Sequence, residues 1–192
     1  QGSAKDFPGA AAGEIPRARD LPETDYVPLM STGYSEGTSF AITPLEMVQA
    51  YGVFANDGKL MQPLEASRPE ADARMVRQVL SRESAELMKA VLVGAVTDGT
   101  GRNARSTLYT TAGKTSTAYH PDSPEHDELG GGRGVAGFIG FAPVGAPKLV
   151  VYVAIFEPTS SKDKNPHGNE HAAPVFREVI EKVLTKWNVP TD

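Results

Sequence analysis

Gly113-Lys114-Thr115-Ser116-Thr117-Ala118, followed by Gly137-Phe138-Ile139-Gly140-Phe141-Ala142-Pro143, is the stretch around which the rest of the chain organises. Side chains alternate along a strand, so Lys114, Ser116 and Ala118 face one way and Thr115 and Thr117 the other. Taken alone, the triplet Lys114-Thr115-Ser116 describes a lysine on an ordinary edge strand. Its surroundings extend the pattern: Tyr109 to Tyr119, Gly134 to Ala142 and Leu149 to Phe156 read as three strands. The first two are separated by a Gly-, Pro- and charge-rich loop, the last two by the short turn Pro143-Val144-Gly145-Ala146-Pro147. A connection that short makes strands two and three an antiparallel hairpin.

Outside the strands the pattern is helical. Thr43 can cap free N–H groups, Pro44 suits the first helical position, and Glu46 closes a capping box. Leu45, Val48, Tyr51 and Phe54 then lie on one face until Asn56-Asp57-Gly58 supplies the stop. A second helix is predicted from Ser81 as cap, burying Leu87, Met88, Val91, Leu92, Ala95 and Val96, and ending at Asp98-Gly99-Thr100-Gly101. The last is predicted after Pro174, where Val175, Phe176, Val179, Ile180, Val183, Leu184 and Trp187 keep an amphipathic rhythm suited to packing on the sheet. Residues 1–40, with turn formers such as Pro8, Gly9, Gly13, Pro16 and Pro22, read as a loop-rich lead segment that must lie on something else. There is no internal repeat, and the order is loop, helix, helix, three strands, helix.

Composition bounds what such a chain does. Its 192 residues are 40% hydrophobic and 22% charged, with 19 Lys and Arg against 24 Asp and Glu for a net charge of −5. That describes a mildly acidic globular chain with length for one domain. An acidic chain with no basic block is not built to neutralise nucleic-acid phosphates. The longest apolar run, Leu149 to Phe156, is far short of the roughly 20 residues that a membrane helix needs. The absence of cysteine excludes disulfides, thiol nucleophiles and Cys-ligated zinc. Gln1-Gly2-Ser3 shows no signal-peptide character and is compatible with the scar of a cleaved tag.

With these residues in view, the chain resembles the C-terminal part of the penicillin-binding protein transpeptidase domain, most closely the class B, cell-division or elongation type. Lys114-Thr115-Ser116 matches that family's third motif, Lys-Thr/Ser-Gly, on a strand at the edge of the active site. Gly9 to Pro16, Gly33 to Tyr51, Ala55 to Gly58, Val96 to Gly101 and Ala172 to Phe176 also look like family segments in family order. The resemblance implies an α/β (α+β) fold of the serine β-lactamase kind, an antiparallel sheet with helices around it. It gives Lys114 and Thr115 the binding of a carboxylate, from a D-Ala-D-Ala stem peptide or a β-lactam. Thr117 would lend its backbone N–H to an oxyanion hole, and Ser116 would shape the strand edge, which can also pair with the peptide as an added strand.

The sequence departs from the family in two ways. Ser116 stands where Gly is usual, and a Gly there leaves room for close approach, so Ser implies altered geometry beside the ligand. Family members also attack with the Ser of Ser-x-x-Lys and place a second hydroxyl with Ser-x-Asn. Ser-x-Asn does not occur, and the single Ser-x-x-Lys, Ser161-Lys162-Asp163-Lys164, lies after the last strand and reads as coincidence. Residues 1–192 are therefore expected to be the C-terminal portion of one transpeptidase domain, beginning after both motifs and inactive in isolation. The family sheet has five strands, the first two from the N-terminal part, so exposed apolar faces should need that complementary part or self-association.

Three further signals have a bland reading beside a chemical one. Gly132-Arg133-Gly134-Val135-Ala136-Gly137 matches a dinucleotide fingerprint but leads into a strand rather than from strand to helix, and reads as a glycine loop. His167 and His171, with His120 and Asp122, offer imidazoles and carboxylates suited to zinc. Pro166 and Gly168 argue for a solvated loop instead, and no metal is expected. Glu125-His126-Asp127-Glu128 reads as solvated loop beside the cleft. The resemblance thus implies a serine-type D,D-transpeptidase that cross-links peptidoglycan, needs no cofactor and is a β-lactam target. It implies an extracytoplasmic place with an anchor outside this chain, and divisome or elongasome partners. The rival reading is a non-catalytic penicillin-sensing or division-scaffold module of the same fold.

Overall fold

The computed structural model describes residues 9–11, 13, 42–64, 74–119, 134–158 and 167–192. Helix α1 (Pro44–Ala55) begins as its sequence dictates. Thr43 Oγ1 accepts from the Glu46 N–H at 3.2 Å, and Glu46 Oε2 accepts from the Thr43 N–H at 2.9 Å. Glu46 Oε1 also takes the Gly13 N–H at 3.3 Å, so the cap holds part of the lead segment. The helix stops where Asp57 and Gly58 take positive φ of 51° and 82°. Leu45, Val48, Tyr51 and Phe54 are half-buried, while Val53, off the predicted stripe, is fully buried.

Strands β1 (Lys59–Met61) and β2 (Met75–Gln78) pair antiparallel, Lys59 opposite Gln78, with an irregularity between Leu60 and Met61. This small sheet corrects the predicted order, which had no strand between the first two helices. Strands of three and four residues carry too little alternation to be read from sequence.

Helix α2 (Arg82–Thr97) is capped by Ser81, whose hydroxyl accepts from the Ser84 N–H at 3.0 Å. Its buried face is the predicted one in part: Leu92 and Val96 are buried and Met88 and Ala95 half-buried, but the face is turned away from Leu87 and Val91. Ala85, Lys89, Leu92 and Val96 are buried, whereas Leu87 and Val91 are 65% and 64% exposed. A lysine lies in the buried stripe because its charge is answered there. Lys89 Nζ donates to Glu86 Oε1 at 2.8 Å and lies 3.6 Å from Asp57 Oδ1, at the turn that ends α1.

Strands β3 (Ala112–Tyr119), β4 (Gly134–Ala142) and β5 (Leu149–Phe156) form an antiparallel sheet in the order β3-β4-β5. The predicted hairpin of the last two strands is present, and the first strand starts at Ala112 rather than Tyr109. Central β4 is buried along almost its whole length because helices cover both faces. On one face Phe138 meets Phe176 at 4.6 Å between ring centroids, within a core with Ile180 and Leu184. On the other, Phe141 and Ala112 pack with Leu92 of α2 and with Tyr51 and Phe54 of α1.

Helix α3 (Gly168–Lys186) begins before the predicted start and carries Pro174 inside it. A proline gives up one backbone bond and is costly in a helix interior. Ala172, Ala173 and Phe176 are each 0% exposed in the main core, and that burial outweighs the cost. The stretch His167 to His171, predicted as a solvated loop, is the N-cap and first turn of this helix.

Candidate functional site

Lys114, Thr115, Ser116 and Thr117 all lie on β3, which has β4 on one side and no further strand on the other among the described residues. Lys114, Ser116 and Thr117 are exposed and Thr115 is half-buried. Lys114 and Thr115 start on opposite faces, yet the lysine stem brings its ammonium back across the edge. Lys114 Nζ donates to the Thr115 carbonyl at 3.1 Å and to Thr115 Oγ1 at 3.2 Å. One ammonium and one hydroxyl therefore share a single point, with a third ammonium proton to spare. By the two-residue repeat of a strand, the Thr117 N–H points to the same edge as the Thr115 carbonyl.

Two contacts explain why the strand is held so firmly there. Ser116 pairs with Gly137 across the ladder and lays its hydroxyl over that glycine, where a Cβ would come 2.0 Å from Ser116 Oγ. On a residue without a side chain, Ser116 finds the space that Gly137 leaves. Gly168, at the start of α3, rests against the same pair: a Cβ there would fall 2.2 Å from the Gly137 carbonyl oxygen and 2.6 Å from that of Ser116. Gly137, within the strand predicted from Gly134 to Ala142, is thus also part of the site's support.

The approach to β3 is anchored from distant parts of the chain. Tyr109 Oη donates to the Val189 carbonyl at 3.1 Å, and Asp192 Oδ1 accepts from the Thr110 N–H at 2.7 Å. Asn103, in the 3-10 turn Arg102–Ala104, gives its N–H to Asn169 Oδ1 at 3.0 Å and its side-chain amide to the Asn169 carbonyl at 2.9 Å. Sequence reasoning missed a further neighbour, Thr100, whose hydroxyl lies 3.1 Å from that of Thr115. Its signal was present in Asp98-Gly99-Thr100-Gly101, read as a helix stop, and in Val96 to Gly101, which resembles a family segment.

The remaining candidates are not brought to this strand. Ser161, His120, Asp122, Glu125, His126, Asp127, Glu128, Gly132 and Arg133 lie outside the described residues. Helix α3 sets His167 and His171 one turn apart, and His171 Nε2 is buried with no hydrogen-bond partner. Among the described residues no group of three or more His, Asp or Glu is placed to hold a metal ion. A cavity of about 350 Å³ between α1, β1 and the start of β5 is lined by Leu45, Val48, Met61 and Leu149, away from Lys114. Gln49, Lys59 and Lys148 also line it, beside its apolar walls.

Residues 4–181 match the family described as penicillin binding protein transpeptidase domain. Among curated proteins the chain is similar to stage V sporulation protein D of Bacillus subtilis, 31% identical over 83% of this chain and 25% of that protein. It is also similar to the probable peptidoglycan D,D-transpeptidase PbpC of Pseudomonas aeruginosa, 33% identical over 97% of this chain and 31% of that one. Among solved structures it resembles the transpeptidase domain of Burkholderia pseudomallei penicillin-binding protein 3, with a TM-score of 0.79 and 28% identity, covering 100% of this chain and 56% of that one. The chain thus spans between a quarter and a third of these two curated relatives and a little over half of the solved domain.

Proposed function

This chain belongs to the penicillin-binding protein transpeptidase family, and on that premise we propose that it is the substrate-binding portion of a serine D,D-transpeptidase that cross-links peptidoglycan. The observation that carries the reading is the meeting of Lys114 Nζ and Thr115 Oγ1 at the open edge of β3. A stem peptide ending in D-Ala-D-Ala would lay its terminal carboxylate against that ammonium and hydroxyl. Charge-assisted hydrogen bonds of this kind are about twice as strong as neutral ones. The peptide backbone would extend along β3, as a strand added to a sheet edge.

In this proposal a serine outside the given sequence attacks the carbonyl carbon between the two alanines. The carbonyl oxygen gathers negative charge and the Thr117 N–H stabilises it. Collapse breaks the C–N bond, D-alanine leaves with a proton on its nitrogen, and the acyl-serine remains. The amine of a second stem peptide then displaces the serine and returns its proton. A β-lactam carboxylate would dock in the same place, and its ring carbonyl would acylate the serine.

We place the protein on the outer side of the cytoplasmic membrane, where its substrate is. No helix among the described residues is long and apolar enough to cross a membrane. Division or elongation proteins are the partners this role would need. The test is intact mass spectrometry with a labelled penicillin, on the 192-residue chain and on the longer protein that carries the serine. The longer protein should gain one penicillin and the chain none. An adduct on the chain would displace the proposed serine, and a folded longer protein that takes no penicillin would leave a binding scaffold.

A further inference from the structure

Beyond the strand itself, we infer that Thr100 is a positioning residue for the substrate carboxylate, acting through the hydroxyl of Thr115; this rests on the transpeptidase reading. The role follows from where the protons at Thr115 can go. A threonine hydroxyl has one proton to give and two lone pairs to receive with. Lys114 Nζ, which can only donate, occupies one lone pair of Thr115 Oγ1 at 3.2 Å. Thr100 Oγ1 lies 3.1 Å away on another approach. When Thr100 donates, both lone pairs of Thr115 are taken and its own proton is the one thing left to offer. Thr115 then becomes an obligate donor aimed away from both neighbours, which suits an incoming anion. Without Thr100 the Thr115 hydroxyl is free to turn and present a lone pair, which repels a carboxylate.

Thr100 is held independently of that hydrogen bond. Gly99 N–H donates to the Gly94 carbonyl at 3.0 Å and Gly101 N–H to the Ala95 carbonyl at 2.8 Å, so the turn stays closed on the end of α2. Arg102 Nη2 clasps the Asp98 carbonyl at 2.7 Å. Gly101 sits against Phe138, where a Cβ would lie 3.1 Å from the ring. The exposed Thr100 side chain is therefore presented by the backbone, and its hydroxyl is not needed to fold the turn. Replacing it by valine keeps the shape and removes only the hydrogen bond.

The experiment compares acylation of the full-length protein by a penicillin and by the methyl ester of the same penicillin, which differ only in the anion. The readout is the ratio of the two acylation rate constants. T100V should lower the acid-over-ester preference about three- to tenfold, the size expected for one hydrogen bond, and T100S should restore it. A purely structural role would lower both rates together and leave the ratio in place. T115V is the reference and should collapse the same preference. If T115V does so and T100V does not, the role of Thr100 is overturned and the transpeptidase reading stands. If T115V also leaves the ratio unchanged, or if the wild-type protein takes neither compound, the reading of the strand fails and this inference with it.

Discussion

Ser116 and Gly137 behave as one unit, although they are separated by a loop in sequence. Gly137 lies across the ladder from Ser116, and the serine hydroxyl fills the space above it. Gly137→Ala would bring a Cβ within 2.0 Å of Ser116 Oγ and force the hydroxyl into another rotamer. The expected cost is about 1 kcal/mol, the scale of a displaced rotamer. Adding Ser116→Ala removes the clash, so a double-mutant cycle by urea unfolding should give a favourable coupling of about 1 kcal/mol. Additive effects would show that the two residues do not share that space.

Among the elements, α2 shows how a buried charge redirects a helix. Lys89 is 6% exposed yet bonds Glu86 and faces Asp57, at the turn between α1 and β1. Losing the partners of a buried charge costs more than replacing the charge by a side chain of like volume. Lys89→Met should therefore change stability by less than about 1 kcal/mol, while Glu86→Gln with Asp57→Asn, whose side chains are 54% and 38% exposed and so screened by water, should cost more, about 1–2 kcal/mol. Denaturant midpoints in the opposite order would sink the argument. The same residue explains what sequence could not show. The caps at Thr43 and Ser81 and the span of β4 and β5 were legible, because each depends on neighbours a few residues away. The rotation of α2 was not, since hydropathy places Leu87 and Val91 inside and Lys89 outside. Only the distant Asp57 completes the answer to its charge. The start of α3 was hidden likewise, by a proline whose cost is offset by packing on β4. Lys114 to Thr117 were readable as a strand, whereas Thr100 joins them only through the fold.

At the scale of the whole molecule, the sheet lies between α3 on one face and α1 with α2 on the other, and β3 stands at one side of it. The approach to β3 is held locally, by the Leu108 and Tyr109 N–H groups on Ser106 Oγ and by Thr111 Oγ1 on the Ala104 carbonyl, and also from the far end of the chain, by Val189 and Asp192. Deleting residues 189–192 should leave the helices in place and free the Thr110 amide. Its hydrogen exchange, followed by NMR, is expected to speed up by about tenfold, in keeping with loss of one hydrogen bond. An unchanged rate would mean that Asp192 does not protect that amide. The contact from Tyr109 to Val189 also has a meaning in time, because it spans 80 residues. At about 5–20 residues per second, a ribosome takes several seconds to a quarter of a minute to supply them. Strand β3 is thus made early and set late: a nascent chain holds Lys114 and Thr115 for that interval before the clasp that steadies their approach exists.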